Sequence, residues 1–353
     1  MTRRLALAAL ATTVLLAACA KGPDNIPYNE AKYALSLLSR TTTRGVATDV
    51  WVSGSRAYVC DSEQGVTIWD VSNPGAPACI DTLRTSASPI IALYSPMTNL
   101  LVVNERNPAG LTPAYDMTTK TAAAILPWDS GISDIDMIEF HPDTLFLARV
   151  DGGSSTQRGE GFGLVKLYRF PGGLWETDLR TRFEQPPFGN YRGLKLWGLQ
   201  SDTIFVAFGS YGLHVLRVDF STFDNFPFAP IGYLDTPGSA EDIDLNRSGT
   251  HALIADSHNG LQIVDVSDRT NPRLGASIIP EGFNQTIKVM AVGDTAYCLE
   301  RLRGIWAADV SIPSQPRLIA VYRTSRPEGL FVTDNHTIYV ADEYEGLMIL
   351  RWR

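Results

Sequence analysis

The chain has 353 residues, of which 44% are hydrophobic and only 19% charged, with 29 glycines and 21 prolines. That balance suits a turn-rich β protein able to bury a large core. The formal charge of −8 repels a phosphate backbone and argues against a nucleic-acid partner. The chain opens on MTRRLALAALATTVLLAAC, in which Arg3 and Arg4 precede an apolar run over residues 5–18. This run is too short to cross a bilayer as a helix, so residues 1–18 read as a signal peptide rather than a membrane span. Its removal takes away Arg3 and Arg4 and makes the remaining chain more acidic by two charges.

The end of that segment, Leu16-Ala17-Ala18-Cys19, resembles the lipobox of bacterial lipoproteins. The resemblance implies that the thiol of Cys19 is lipidated and that Cys19 becomes the first mature residue. The competing reading is an ordinary secretory signal with an incidental cysteine. Similarity to a twin-arginine signal stops at the arginine pair. Ala20 follows the cysteine where an aspartate would favour the inner membrane, and by resemblance to Gram-negative sorting this implies the outer membrane. Several acyl chains anchor stably where one would not. Residues 19–32, with Gly22, Pro23 and Pro27, read as a lipidated tether, and residues 33–353 as one folded domain.

Beyond the tether the chain repeats. Residues 65–77 read GVTIWDVSNPGAP, residues 260–272 GLQIVDVSDRTNP and residues 304–316 GIWAADVSIPSQP, and looser copies start at Gly110, Gly163, Gly212 and Gly346. Successive glycines are 45, 53, 49, 48, 44 and 42 residues apart. A period in this range means one supersecondary unit repeated, and for β units it points to a propeller. Ahead of each glycine lies a continuous apolar run, AYVCD (57–61), LLVVN (100–104), LFLAR (145–149), IFVAF (204–208), ALIAD (252–256), AYCLE (296–300) and IYVAD (338–342), as expected of strands buried on both faces. Turns carrying Gly, Asp, Asn or Pro separate these from short inner strands such as ATDVWV (47–52) and EDIDL (241–245). Outer strands such as RLGASII (273–279) and RLIAVYR (317–323) follow each proline turn.

Seven units of four antiparallel strands predict an all-β, seven-bladed β-propeller. The last copy ends at Arg353 after three strands, while YALSLLSRT (33–41) aligns with an outer strand, so the N-terminal strand is expected to complete the last blade and close the ring. Two places break the pattern. Blade three carries the polar insert DGGSSTQRGEG (151–161), read as a surface loop. Phe220, Phe223, Phe226 and Phe228 crowd one turn of blade four, as blade packing or as an exposed patch.

The turn D-V-S-[ND]-P after G-[LV]-x-I, best kept at residues 262–272 and 67–77 and more weakly at 306–316, is similar to the LVIVD repeat of bacterial and archaeal secreted proteins. The resemblance spans nearly the whole mature chain, although copies two, three, four and seven lose D-V-S. It implies a propeller at the cell envelope and transfers no catalytic residue. The aspartate of the motif reads as a turn former that hydrogen-bonds local backbone.

Chemistry is expected on the face where second-to-third strand loops meet the loops entering each first strand. The candidate binding residues there are Asp61, Glu63, Asn104, Asp256, His258, Glu300, Asp342 and Glu343. Glu345 adds to them, and Asp49, Asp134, Asp242, Lys195, Lys288 and Glu328 are assigned to the entrance loops. Such a rim could attract cations or a basic partner. The simpler reading has an Asp at a loop start capping its own turn. The five histidines and four cysteines show no zinc or copper spacing, and no nucleophile elbow or P-loop occurs. Cys60 and Cys79 should lie on strands separated by a third, about 10 Å apart and beyond disulfide reach, so Cys60, Cys79 and Cys298 are expected as buried free thiols. The expectation is therefore a lipid-anchored envelope propeller with no cofactor and no catalytic residue, a binding or scaffold module for an envelope protein or glycan. The alternative is an envelope hydrolase or lyase using carboxylates at the channel mouth.

Overall fold

The computed structural model describes residues 34–106, 112–126, 132–151, 162–170, 173–183, 191–197, 202–219 and 228–353. The signal peptide, the tether with Cys19, the blade-three insert beyond Asp151, and Phe220, Phe223 and Phe226 lie outside them.

The described residues form 28 strands and no helix. The chain starts with β1 (Leu35–Thr41). Blade one follows as β2–β5 (Ala47–Ser53, Arg56–Asp61, Gly65–Asp70, Ala78–Leu83) and blade two as β6–β9 (Ser88–Ser95, Leu100–Arg106, Thr112–Asp116, Thr121–Leu126). Blade three is β10–β13 (Ile132–His141, Thr144–Asp151, Phe162–Arg169, Trp175–Phe183) and blade four β14–β17 (Gly193–Leu196, Thr203–Ala207, Leu213–Val218, Phe228–Leu234). Blade five is β18–β21 (Asp242–Leu245, His251–Ala255, Leu261–Asp265, Arg273–Ile278). Blade six is β22–β25 (Thr286–Val292, Thr295–Glu300, Gly304–Asp309, Arg317–Tyr322). Blade seven holds β26–β28 (Pro327–Val332, Ile338–Asp342, Gly346–Trp352), and β1 pairs antiparallel with β28 as its fourth strand, Leu35 opposite Trp352 and Thr41 opposite Leu347. All seven sheets have four antiparallel strands, six of them in chain order and the seventh completed by β1, so the seven-bladed propeller read from the repeats is the fold.

The apolar second strands explain how the blades cohere. Side chains alternate across a strand, and in β19 Ala252 and Ile254 pack with blade four while Leu253 and Ala255 pack with blade six. The same alternation gives each of the seven interfaces between neighbouring blades its own buried cluster. Each fully buried aliphatic side chain is worth about 1.5–3 kcal/mol. Because every sheet spends both faces this way, no single core dominates.

The repeated glycine marks a steric corner. Gly65 and Gly260 have φ of 94° and 68°, and a Cβ on either would stand 2.2 or 2.3 Å from a carbonyl oxygen of the fourth strand. Only a residue without a Cβ begins the third strand there. The D-V-S turn is structural as expected: Asp70, Asp265 and Asp309 each accept the N–H of the serine two residues on, at 2.9 Å. The Ser267 hydroxyl, with its N–H, holds the Asp265 carboxyl below the usual range, and the Ser72 N–H does so for Asp70. Asp309 shows that blade six makes the same turn despite its weaker motif.

The thiols need one correction. Cys60, Cys79 and Cys298 are free, but only Cys60 and Cys298 are buried, and Cys79 is exposed. It sits on β5, an outer strand with no blade beyond it to cover its outward side chains.

Candidate functional site

The seven inner strands surround a channel, and their free edges create a problem. Each inner strand pairs on one side only, which leaves N–H groups pointing into the channel region unpaired. At three blade junctions acidic side chains of the preceding blade meet them. Asp49 of blade one accepts Ala92 N–H of blade two at 3.2 Å. Asp134 and Asp136 of blade three accept Leu194 and Leu196 N–H of blade four at 3.0 and 2.9 Å. Asp242 and Asp244 of blade five accept Val289 and Ala291 N–H of blade six at 2.9 and 2.8 Å. The period-two spelling SDIDM and EDIDL is what places both acids of a strand on the channel side.

Two lysines balance these acids. Lys195 of blade four lies 3.1 Å from Asp244. Asp244 raises its pKa most, against the lowering effect of burial. Burial likewise lowers the Lys288 pKa, but Asp242, Asp134, Asp49 and Glu328 outweigh it and the net shift is upward. Burial raises the carboxyls, Asp134 to about 8 and Asp242 to about 6, with Lys288 opposing in both. Burial also raises Asp49 and Asp136. The waist of the channel, a cavity of about 250 Å³, is thus a compact charge network bonded to the blade backbones. This corrects one assignment: Asp49, Asp134, Asp242, Lys195 and Lys288 lie on inner strands and not on entrance loops, and Glu328 is the second residue of β26.

The rim acids have a different job. Asp61 is fully buried and accepts N–H groups of Arg44, Gly45, Glu63 and Gln64 at 2.9–3.2 Å. Asp342 does the same with Arg326, Tyr344 and Glu345 N–H and the Thr324 hydroxyl. Asp256 accepts Thr236 Oγ1–H at 2.7 Å and Gly238 N–H at 2.8 Å, and burial raises its pKa to about 6. Glu300 accepts Asn284 N–H at 2.6 Å, Gln285 N–H and the Thr286 hydroxyl, and burial raises it as well. Each acid ties the loop entering its own blade to the end of the second strand.

In blade two this role falls to Glu105, which accepts Ala87 N–H, the Ser86 hydroxyl and Tyr115 Oη–H. Its neighbour Asn104 donates instead to Ile132 O of blade three at 3.4 Å. Glu105 was hidden in the sequence because blade two reaches its glycine two residues late. In blade four an aromatic stack, Tyr191 on Phe208 with centroids 4.1 Å apart, fills the same corner. His214 packs edge-on against Phe208 and burial lowers its pKa to about 4, so it is neutral.

Of the sequence candidates, Asp61, Asp256, Glu300 and Asp342 are therefore loop ties, buried out of a ligand's reach. Glu343 pairs with Arg326 at 2.6 Å and Glu345 with Arg40. Glu63 is exposed, and His258 sits at the loop beside Ser257, whose hydroxyl lies 3.2 Å from its Nδ1. Bridges between Ser257 and Thr286 and between Gly209 and Ala240 lock neighbouring loops across blades.

What remains open on this face is a cavity of about 590 Å³ over the waist, lined by residues of blades one, two, three, six and seven. Its charged lining is Arg106, Lys288, Arg301 and Arg326 against Asp49, Glu328 and Glu343. A second recess of about 210 Å³ shares Lys288, Arg301 and Glu328 with it and adds Arg192, Asp134, Glu241 and Asp242. Among the described residues, no group of three or more His, Cys, Asp or Glu side chains is placed to hold a metal ion. The rim of the open cavity is mixed in charge, four cations facing three carboxylates.

Fold and mouth together define a ring-closed β-propeller with a polar cavity over a charge-locked channel. The family model described as LVIVD repeat matches residues 44–85 and 237–278, which are blades one and five with their entrance loops. No curated protein matches the chain. Among solved structures it is similar to the computationally designed Ika8 protein, with a TM-score of 0.58 at 9% identity, covering 88% of this chain and 97% of that one. That likeness shows the fold alone.

Proposed function

We propose that this chain is a non-catalytic binding or scaffold module of the cell envelope. It is held to the membrane, in this reading the outer one, by lipid on Cys19, and it presents the channel-mouth face to an envelope protein or glycan. The observation that carries the reading is the cavity of about 590 Å³ built by loops of five blades, within the size range of ligand sites. Loops locked to one another and to their own strands favour binding, because little is left to order when a partner arrives. LVIVD repeats in blades one and five fit a binding or scaffold role.

The rival reading, a hydrolase or lyase using acids of the channel, gains nothing from these carboxylates. Asp134, Asp136, Asp242 and Asp244 each hold a backbone N–H of the next blade, and Asp61, Asp256, Glu300 and Asp342 hold loops. Affinity capture of the full chain from its own membranes tests the binding role. A partner retained at stoichiometric yield supports it, and a chain recovered alone under gentle extraction counts against it. Cys19→Ala should release the protein from membranes; retention of that variant would contradict lipid anchoring.

A further inference from the structure

We propose that the channel mouth recognises a carboxylate-rich peptide segment of a partner protein, with Arg301 and Arg106 as its charge contacts. The proposal rests on the binding-module reading and names the chemistry of its partner.

The mouth gathers cations on an acidic chain. On a chain of net charge −8, the cavity is lined by four cations and three acids. Most of the cations are already engaged. Arg326 pairs with Glu343 at 2.6 Å and Glu328 at 3.6 Å, Arg192 lies 3.8 Å from Glu241, and Lys288 is balanced by the waist carboxylates. Arg301 and Arg106 line the cavity and have no such pair among the described residues. A guanidinium that faces the cavity with no carboxylate beside it keeps its donors for a ligand. The planar fork of arginine matches a carboxylate in two parallel bonds.

Position sets how far the ligand travels. At the waist Asp49, Asp134 and Asp242 each already accept a backbone N–H of the next blade, so an incoming carboxylate finds acceptors and no free donor there. The mouth is a seat and the channel is no conduit for it.

Apolar side chains choose the class of anion. Leu302, next to Arg301, and Tyr344, on the adjoining loop of blade seven, flank the cavity without lining it and are 60% and 66% exposed. Tyr and Arg together at a rim are the composition of protein interfaces. An aliphatic Leu offers contact to peptide side chains and little to the hydroxyls of an acidic glycan. Glu63 is exposed on blade one but does not line the cavity.

The test is fluorescence anisotropy on the full chain in detergent, with labelled hexaglutamate, labelled oligogalacturonate of equal charge and labelled hexalysine. Hexaglutamate should bind with an affinity that falls as salt rises. Arg301→Ala and Arg106→Ala should each weaken it about tenfold, the size expected for a lost charge-assisted contact. Arg301→Lys should fall between, and Glu63→Ala should bind like the parent. Melting curves check that each variant is folded, and Arg301→Lys keeps the test alive if Arg301→Ala is not. Absence of hexaglutamate binding, equal binding by the double alanine variant, or tighter binding of oligogalacturonate would each overturn the proposal. If peptide binding fails while a captured partner still contacts this face, the acidic-peptide assignment falls and the binding-module reading stands.

Discussion

The carbonyl oxygen of Thr41 lies 2.3 Å from the point where a Cβ on Gly346 would stand. Gly65 meets Leu83 and Gly304 meets Tyr322 in the same way, but those partners are the following strand of the same repeat. At Gly346 the following strand comes from the other end of the chain. Arg40 and Glu345 pair across the same corner, and Leu35, only 1% exposed, plugs the interface between blades six and seven.

Loss of β1 should therefore cost the whole ring, because it leaves β28 as an unpaired edge. A chain beginning at Thr42 is expected to melt about 10 °C or more below one beginning at Ala20, from the several kcal/mol that the strand contributes. Scanning calorimetry reads this directly, and equal melting temperatures would contradict closure by β1.

The waist predicts an unusual pH dependence. Burial raises the folded pKa of Asp134 to about 8, above the ordinary carboxylate value, so the folded state holds a proton that the unfolded state has lost. Stability linked to this group is complete below about pH 4 and is lost as pH rises towards and through about 8. Asp134→Asn keeps the shape and removes the titration. Thermal melts from pH 5 to pH 9 should show the parent losing ground against the variant as pH rises; parallel curves would show that Asp134 does not titrate in this window.

Two neighbouring acids in blade one should behave as opposites. Asp61→Ala strips the acceptor from four backbone N–H groups and should cost about 3 kcal/mol in urea unfolding. Glu63→Ala, on an exposed side chain, should stay within about 0.5 kcal/mol of the parent. Similar losses for both would remove the distinction between loop tie and rim.

Thiol labelling checks burial and the anchor together. Of Cys60, Cys79 and Cys298, only Cys79 should react with maleimide in the folded protein, the other two following on unfolding. A second fast thiol that maps to Cys19 would show that it carries no lipid, and one that maps to Cys60 or Cys298 would contradict their burial.

The architecture was legible because it is repeated: a glycine that only a tight corner needs, an Asp that turns after the third strand, and strands such as ALIAD that are apolar on both faces. The face carrying the mouth followed from strand order. The chemistry of that face did not, since an Asp at a loop start spells the same whether it points at solvent or, like Asp61, folds under its own loop. The inner-strand acids were visible as the alternation in EDIDL, but their acceptor role depends on the neighbouring blade, which no single repeat contains. Glu105 and the Tyr191–Phe208 stack occupy the same corner with different chemistry, which a search for repeated residues passes over. Arg301 and Arg106 stood out only once the acids around them were accounted for.

The most direct measurement places a photo-crosslinking residue at single positions of the full chain in cells. Tyr344 and Leu302 sit on the mouth face, and Phe140 and Ile312, 46% and 57% exposed, on the opposite one. The expected result is one protein partner trapped from positions 344 and 302 and none from 140 and 312. Trapping of the same partner from 140 and 312, with none from 344 and 302, would contradict the assignment of the channel mouth as the binding face.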